Sequence, residues 1–198
     1  MFDTVAAVSL PTIPASAAEE AATTSRDDDG RLARRCAAGD SEAFEELYRR
    51  FGARMKNIAF QQLGNTADAE EAVQETFLKV FRAARTYNGE AALSTWIYRI
   101  LVNGCHDLFR KRQRRVDETP LEQLSVERSG IATDEMKRMT LRKLLAELPE
   151  QRRTVFLLFE VEGLSHAEIA TILGISEANS KWILFSTKKQ LQQAWRTC

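Results

Sequence analysis

Cysteine and histidine are scarce in this chain, and no hydrophobic run is long. The three cysteines, Cys36, Cys105 and Cys198, are odd in number and far apart. That spacing suits neither a disulfide framework nor a zinc site, so reduced thiols and no metal ligands are expected. The two histidines, His106 and His166, have no evident nucleophile, carboxylate pair or glycine-rich loop arranged around them. An enzyme is therefore not expected, nor a catalytic residue or cofactor, and His166 reads as an exposed helix residue. No apolar stretch approaches the ~20 residues of a membrane span. The N-terminus carries Asp3 and no basic residue ahead of a hydrophobic core, so a signal peptide is not read either. A cytoplasmic protein without membrane contact is expected.

An excess of charge of one sign is missing as well. The 28 Lys and Arg residues cancel the 28 Asp and Glu residues, so any nucleic-acid role must come from how charge is distributed. The distribution is uneven. Between Arg99 and Arg115 stand six bases (Arg99, Arg110, Lys111, Arg112, Arg114, Arg115) against Asp107 alone. Between Asp117 and Glu135 six acids are opposed only by Arg128, so a basic arm abuts an acidic connector. With 44% hydrophobic residues, the chain can still build a core.

Residues 1–29, rich in Ala, Ser, Thr and Pro, read as a disordered tail, because they cannot bury enough apolar area to offset ordering entropy. From Arg31 the pattern turns helical: Leu32, Cys36, Ala43, Phe44, Leu47, Tyr48 and Phe51 recur at spacings of three and four, with Asp40 or Ser41 as a natural N-cap. Thr66 to Ala84 places Ala69, Ala72, Val73, Thr76, Phe77, Val80 and Phe81 on one stripe. Asp68, Glu70, Glu71 and Glu75 stand off that stripe, more acid than a helix N-terminus needs. After a loop at Tyr87, Asn88 and Gly89, Ser94 can cap a helix whose apolar face is Trp96, Ile97, Ile100, Leu101, Cys105 and Leu108. Its other face lines up Arg99, Asn103, His106 and Arg110 ahead of the Arg/Lys cluster, a surface suited to a polyanion.

Residues 116–138 lose periodicity and read as a flexible linker. Beyond them Leu141, Leu144, Leu145 and Leu148 form an amphipathic helix, and Pro149 opens the next, with Val155, Phe156, Leu158 and Phe159, which Gly163 ends. Ser165 to Glu168 is a capping box, Gly174 a turn and Ser176 a second cap, which together describe a helix-turn-helix. The fold class is all-α: two small helical domains, 30–115 and 139–198, joined by the linker.

In this order the segments resemble the extracytoplasmic-function sigma factors, which keep regions 2 and 4. Asp68-Ala69-Glu70-Glu71-Ala72-Val73-Gln74-Glu75-Thr76-Phe77 is similar to region 2.2. The resemblance implies that Asp68, Glu70, Glu71, Gln74 and Glu75 bind the beta-prime clamp helices of RNA polymerase core. Ser94 to Asn103 with the basic cluster is similar to regions 2.3 and 2.4, which implies a minus-10 surface of Tyr87, Asn88, Trp96, Arg99, Asn103, Arg110, Lys111, Arg112, Arg114 and Arg115, with the 87–89 loop as base pocket. For Trp96 a core role competes with base stacking. Leu148 to Ala170 is similar to region 4, which implies contact with the beta flap and a minus-35 surface of Ser176, Glu177, Ala178, Asn179, Lys181, Trp182, Ser186 and Lys188. The expected partners are polymerase core, promoter DNA and an anti-sigma factor.

The second of these helices departs from the family pattern. Two expected arginines are Ile183 and Ser186, and Ser180 occupies a position that is usually apolar. Fewer phosphate contacts and a weaker local core are expected. If Ser180, Leu184, Thr187 and Leu191 face inward, Trp182 and Phe185 point outward. A stand-alone helix-turn-helix regulator, or a sigma-like protein-interaction module with weakened DNA binding, remain alternative functions. The regulator leaves the acidic segment and the linker between two modules unexplained, and specific run-off transcription from any promoter would rule out the interaction module.

Overall fold

In a computed structural model the structure describes residues 28–116 and 133–197, with backbone alone over 113–116, 133–138 and at 197. Every regular element among them is helical. The first module comprises α1 (28–37), α2 (Ser41–Leu63), α3 (Thr66–Ala83), a short 3-10 turn (Ala84–Thr86) and α4 (Leu93–Val116). The second comprises α5 (Thr133–Ala146), α6 (Glu150–Phe156) running into a π turn (Leu157–Val161), α7 (His166–Leu173) and α8 (Glu177–Thr197).

Local chemistry sets most of the helix ends. Asp40 caps α2, its Oδ1 accepting from the N–H groups of Glu42 (2.9 Å) and Ala43 (3.2 Å). Its other oxygen accepts from Arg35 at 2.7 Å, and that hydrogen bond leads the causes that hold the Asp40 carboxyl below its usual range. Asn65 caps α3 by accepting from Asp68 N–H. The capping box at Ser165 and Glu168 closes in both directions, and Gly174 ends α7 with φ +65°, a conformation that costs glycine little.

Three boundaries differ from those read in the sequence. Asp28 and Asp29 belong to α1 rather than to a tail, and Asp29 is buried: it pairs with Arg50 and accepts from Leu93 N–H at 3.1 Å. Asp29 thus supplies the N-terminal cap of α4 from 64 residues away. Ser94 lies inside the helix rather than at its cap. The helix α5 begins at Thr133, inside the stretch read as a linker; Asp134 to Met139 contains no helix breaker and joins the helix that follows. Residues 1–27 and 117–132, which hold the rest of the expected tail and linker, lie outside the described residues.

The two modules share one apolar core. Ala43, Leu47, Phe51, Met55 and Ile58 of α2, Ala69 to Val80 of α3, and Ile97, Leu101 and Cys105 of α4 continue into Val155, Leu158, Leu164, Ile169, Ile172, Ile183 and Leu184. A satellite cluster of Leu144, Leu145, Leu148, Leu157 and Leu191 seats α5 on α8. The sequence pattern marks Ile97, Leu101 and Cys105 of α4 as buried, and they are. It misses Thr95, Tyr98 and Val102, which are equally buried, because they form a second inward face of α4, turned toward the other module.

Candidate functional site

Three surfaces bear on function. The first lies between α3 and α4, where a cleft of about 320 Å³ is lined by Glu71, Gln74, Glu75 and Leu78 on one side and by Gly104, Asp107, Leu108 and Lys111 on the other. The five residues expected to meet the clamp do not act alike. Glu71, Gln74 and Glu75 line the cleft, Glu75 standing 3.8 Å from Lys79. Glu70 points to α2 and pairs with Lys56 at 2.6 Å, half-exposed on the other flank. Asp68 is tied to Asn65 and, at 3.3 Å, to Arg112.

Beside these acids runs an apolar strip absent from the expected site. Tyr48, Leu78 and Phe81 are exposed, Phe81 by 54%. Phe44 lies against Phe81 (4.8 Å between centroids), and Tyr48 against Phe77 (5.1 Å). Phe81 follows the helical stripe of α3, so its period alone marks it as core. The signal for exposure is the excess of aromatics at positions 77 and 81, which the short stripe of Ala69, Ala72 and Val73 does not need. An exposed aromatic strip adjoining an acidic cleft has the composition common at protein–protein contacts.

The second surface runs along α4. Arg99, Asn103 and Arg110 are all exposed on one flank. His106 does not join them: its Nε2 stands 3.4 Å from Glu150 at the junction with α6. Lys111 faces the α3 cleft. Arg112 folds back, its Nη1 within 3.5 Å of the Leu63 carbonyl at the end of α2 as well as near Asp68, so it serves the fold and is less available to a ligand. Arg114 and Arg115 lie in the last turn of α4, and their side chains are outside the described residues.

At the start of α4 the 87–92 loop folds over Trp96. The Tyr87 hydroxyl donates to the Ala91 carbonyl at 2.8 Å, and its ring lies 5.5 Å from that of Trp96. Asn88 accepts from Glu90 N–H, and Gly89 turns the chain with φ +76°. Trp96 is half-buried, with one part against the core and the other beside the exposed loop.

The third surface is the outer face of α8. Ser180, Ile183, Leu184, Thr187 and Leu191 are buried, as the inward face predicts, with Ile183 added to it. Ile183 therefore sits where an arginine could not reach solvent without leaving the core. Ser180 does not weaken that core: His166 Nδ1 stands 2.9 Å from its Oγ, and the His166 ring stacks on Phe159 at 4.5 Å. His166 is thus a half-buried packing partner rather than an exposed helix residue. Ser176 caps α8 by accepting from Asn179 N–H at 3.1 Å. Glu177 pairs with Lys181 at 2.6 Å, which leads the causes that lower its pKa, and Lys188 pairs with Glu160 at 2.5 Å. Ala178 and Asn179 are exposed, while the half-buried Ser186 donates to the Ile183 carbonyl.

Between these surfaces the modules meet in a polar seam. The Tyr98 hydroxyl donates to Glu162, whose side chain is 2% exposed. Burial, and then this hydrogen bond, push the Tyr98 phenol above its ordinary range. Thr95 donates to Glu168 at 3.3 Å, and Gln62 Nε2 donates to Thr154 at 2.7 Å.

Comparison with known proteins places these surfaces in context. Residues 47–115 match the Sigma-70 region 2 family, and residues 138–191 match the Sigma-70 region 4 family. The chain is 31% identical over 144 residues to the ECF RNA polymerase sigma factor SigM of Mycobacterium tuberculosis, covering 73% of this chain and 72% of that one. It is 30% identical over 155 residues to the ECF RNA polymerase sigma-E factor of Salmonella typhimurium, covering 72% and 81%. Two solved structures share the fold. CnrH in complex with the cytosolic domain of CnrY matches with TM-score 0.68 at 22% identity, over 85% of this chain and 97% of that one. RpoE of Bartonella quintana, in complex with the anti-sigma factor NepR, matches with TM-score 0.66 at 21% identity, over 77% and 96%.

Proposed function

Because the chain belongs to the extracytoplasmic-function sigma factors, we propose that it docks on RNA polymerase core through the α3 and α4 cleft, captures the minus-10 strand along α4 and reads the minus-35 element with α8. It is a sigma factor, a subunit that binds core and directs promoter recognition, melting and initiation. In this reading it performs no chemistry of its own and works in the cytoplasm with the polymerase.

One observation carries the assignment of surfaces: α3 and α4 present two unlike faces side by side. The cleft with Glu71, Gln74 and Glu75 and the strip at Leu78 and Phe81 suit a protein. The flank with Arg99, Asn103 and Arg110 suits a phosphate backbone. A factor that must hold polymerase and a melted strand at once needs these faces adjacent but separate. Unstacking a base costs a few kcal/mol, and the Tyr87 and Trp96 pair beside the row offers aromatic surface to offset it.

An anti-sigma factor is a further proposed partner. One relative of this fold is held by NepR and another by the cytosolic part of CnrY. Reconstituting the chain with core enzyme and probing a cognate promoter with permanganate tests the proposal. Unpaired thymines at the minus-10 element are expected with the native chain, and their loss on replacing Arg99 and Asn103 together by alanine. A melted strand indifferent to those two side chains places the minus-10 contact elsewhere.

A further inference from the structure

The outer face of α8 is aromatic where a reading helix would ordinarily carry cations. Ser180, Leu184, Thr187 and Leu191 anchor one side of the helix, which puts Trp182 at the centre of the opposite side, with Asn179 and Phe185 flanking it and Lys189 two turns on. Trp182 is 59% exposed and Phe185 70%. Among the described residues the helices packed closely on α8 are α5, α6 and α7 of the second module, and they leave Trp182 and Phe185 exposed. The Trp182 ring is also held: the Arg152 guanidinium stands 6.0 Å from its centroid and is itself fixed by donating to Gln190 at 2.9 Å.

Nearby cations stand at the edges of the face, in solvent-exposed ion pairs that phosphates can replace. Lys181 is paired with Glu177 and Lys188 with Glu160, which leaves Lys189 as the base central to the face. The positions where the family resemblance implies arginines hold a buried Ile183 and a Ser186 bonded to the helix backbone. Neither of these two positions therefore offers an arginine for bidentate recognition of guanine. What remains is one amide and two aromatic rings. The single apolar group that a base pair offers in the major groove is the C5-methyl of thymine, and the side chain best matched to adenine is Asn or Gln.

We propose that α8 reads a minus-35 element rich in A·T pairs, with Trp182 and Phe185 packed on thymine methyl groups and Asn179 on an adenine edge. A duplex suits the face better than a protein partner does. From Lys181 onward α8 carries Lys181, Lys188, Lys189 and Arg196 and no acid, a balance complementary to phosphates flanking the groove. The inference rests on α8 being the minus-35 helix, and it goes further by naming the bases read and the residues that read them.

The test uses reconstituted holoenzyme. Minus-35 elements selected from a randomised promoter library are expected to be rich in A·T. Replacing their thymines with deoxyuridine, which removes only the methyl group, is expected to lower promoter occupancy by about fourfold per contacted methyl, the factor that burying one such group provides. The Trp182→Ala, Phe185→Ala double variant is expected to bind more weakly and to lose this sensitivity; Asn179→Ala is expected to lose preference at one adenine. Selection of G·C-rich elements, or equal occupancy of thymine and deoxyuridine promoters, overturns the inference; the deoxyuridine arm needs no variant to fold. Sensitivity retained by the double variant, with loss instead of binding to a protein, also overturns it and assigns the rings to that partner. Absence of any minus-35 protection defeats the assignment of α8 to duplex DNA itself, an outcome distinct from protection without methyl dependence.

Discussion

Arg153 of the second module donates from Nη1 to the carbonyl of Gln62 in α2 at 2.7 Å. From Nη2 the same guanidinium donates to Ala146 at 2.8 Å and Leu148 at 3.0 Å, at the end of α5. It therefore joins two helix C-termini, where exposed carbonyls carry partial negative charge and favour a cation. Burial lowers its pKa, and the Glu150 charge opposes that shift.

Removing this group leaves buried carbonyls unpaired. Hydrogen bonds to charged groups contribute about 1.5–3 kcal/mol each, so Arg153→Ala is expected to cost roughly 3 kcal/mol. In a chain of this size that lowers Tm by about 6–12 °C. Thermal unfolding followed by circular dichroism checks this, and an unchanged Tm would show that the guanidinium does not hold the modules together. Arg153→Lys keeps a cation but loses the fork, and is expected to fall between the two.

Charge reversal along α3 separates docking from folding. Glu71→Lys or Glu75→Lys is expected to reduce affinity for polymerase core tenfold or more in a pull-down or fluorescence titration. Glu70→Lys breaks the exposed pair with Lys56, worth under about 1 kcal/mol, and is expected to have a much smaller effect. Equal losses at positions 70 and 71 would move the docking surface to the other flank of α3.

The basic arm should divide in the same way. Arg110 is exposed on the flank proposed to meet the minus-10 strand, whereas Arg112 is engaged with Asp68 and the end of α2. Binding of holoenzyme to a pre-melted minus-10 strand should lose about 0.7 from its log-log salt slope with Arg110→Ala, the value of one single-strand phosphate contact. Little change is expected with Arg112→Ala. A large drop with Arg112→Ala would mean that the fold-back is released on binding.

Much of this arrangement is legible in the sequence because it is local. The cap at Asp40, the capping box at Ser165, the turn at Gly174 and the inward face of α8 each depend on residues within a few positions of one another. Long-range relationships are harder to read. Asp29 looks like part of a polar tail and is buried because α4 lacks a cap of its own. Tyr98 and Thr95 lie off the apolar stripe of α4, and only the second module explains why they are buried. His166 looks exposed until the Ser180 hydroxyl supplies its partner. The acids of α3 share one helix and one charge, so their sequence does not reveal that Glu70 turns to Lys56 while Glu71 turns to the cleft.

Cys105 tests the shared core chemically. Burial, with the Glu150 charge adding to it, pushes its thiol up to about 12. A raised folded-state pKa leaves its contribution to stability complete below the ordinary thiol value near 9 and removes it as pH climbs toward 12. At pH 8 the native chain should therefore resist alkylation at Cys105, and at the buried Cys36, until denaturant is added. Mass spectrometry of iodoacetamide-treated protein checks this, and rapid labelling of Cys105 without denaturant would show that the packing around it opens.

The most direct test is run-off transcription by purified core polymerase on a promoter selected by the reconstituted holoenzyme. Specific transcript is expected only when the chain is added, with Glu75→Lys abolishing it and Glu70→Lys largely sparing it. A chain that binds duplex DNA unaided, fails to associate with core and yields no specific transcript would contradict the account.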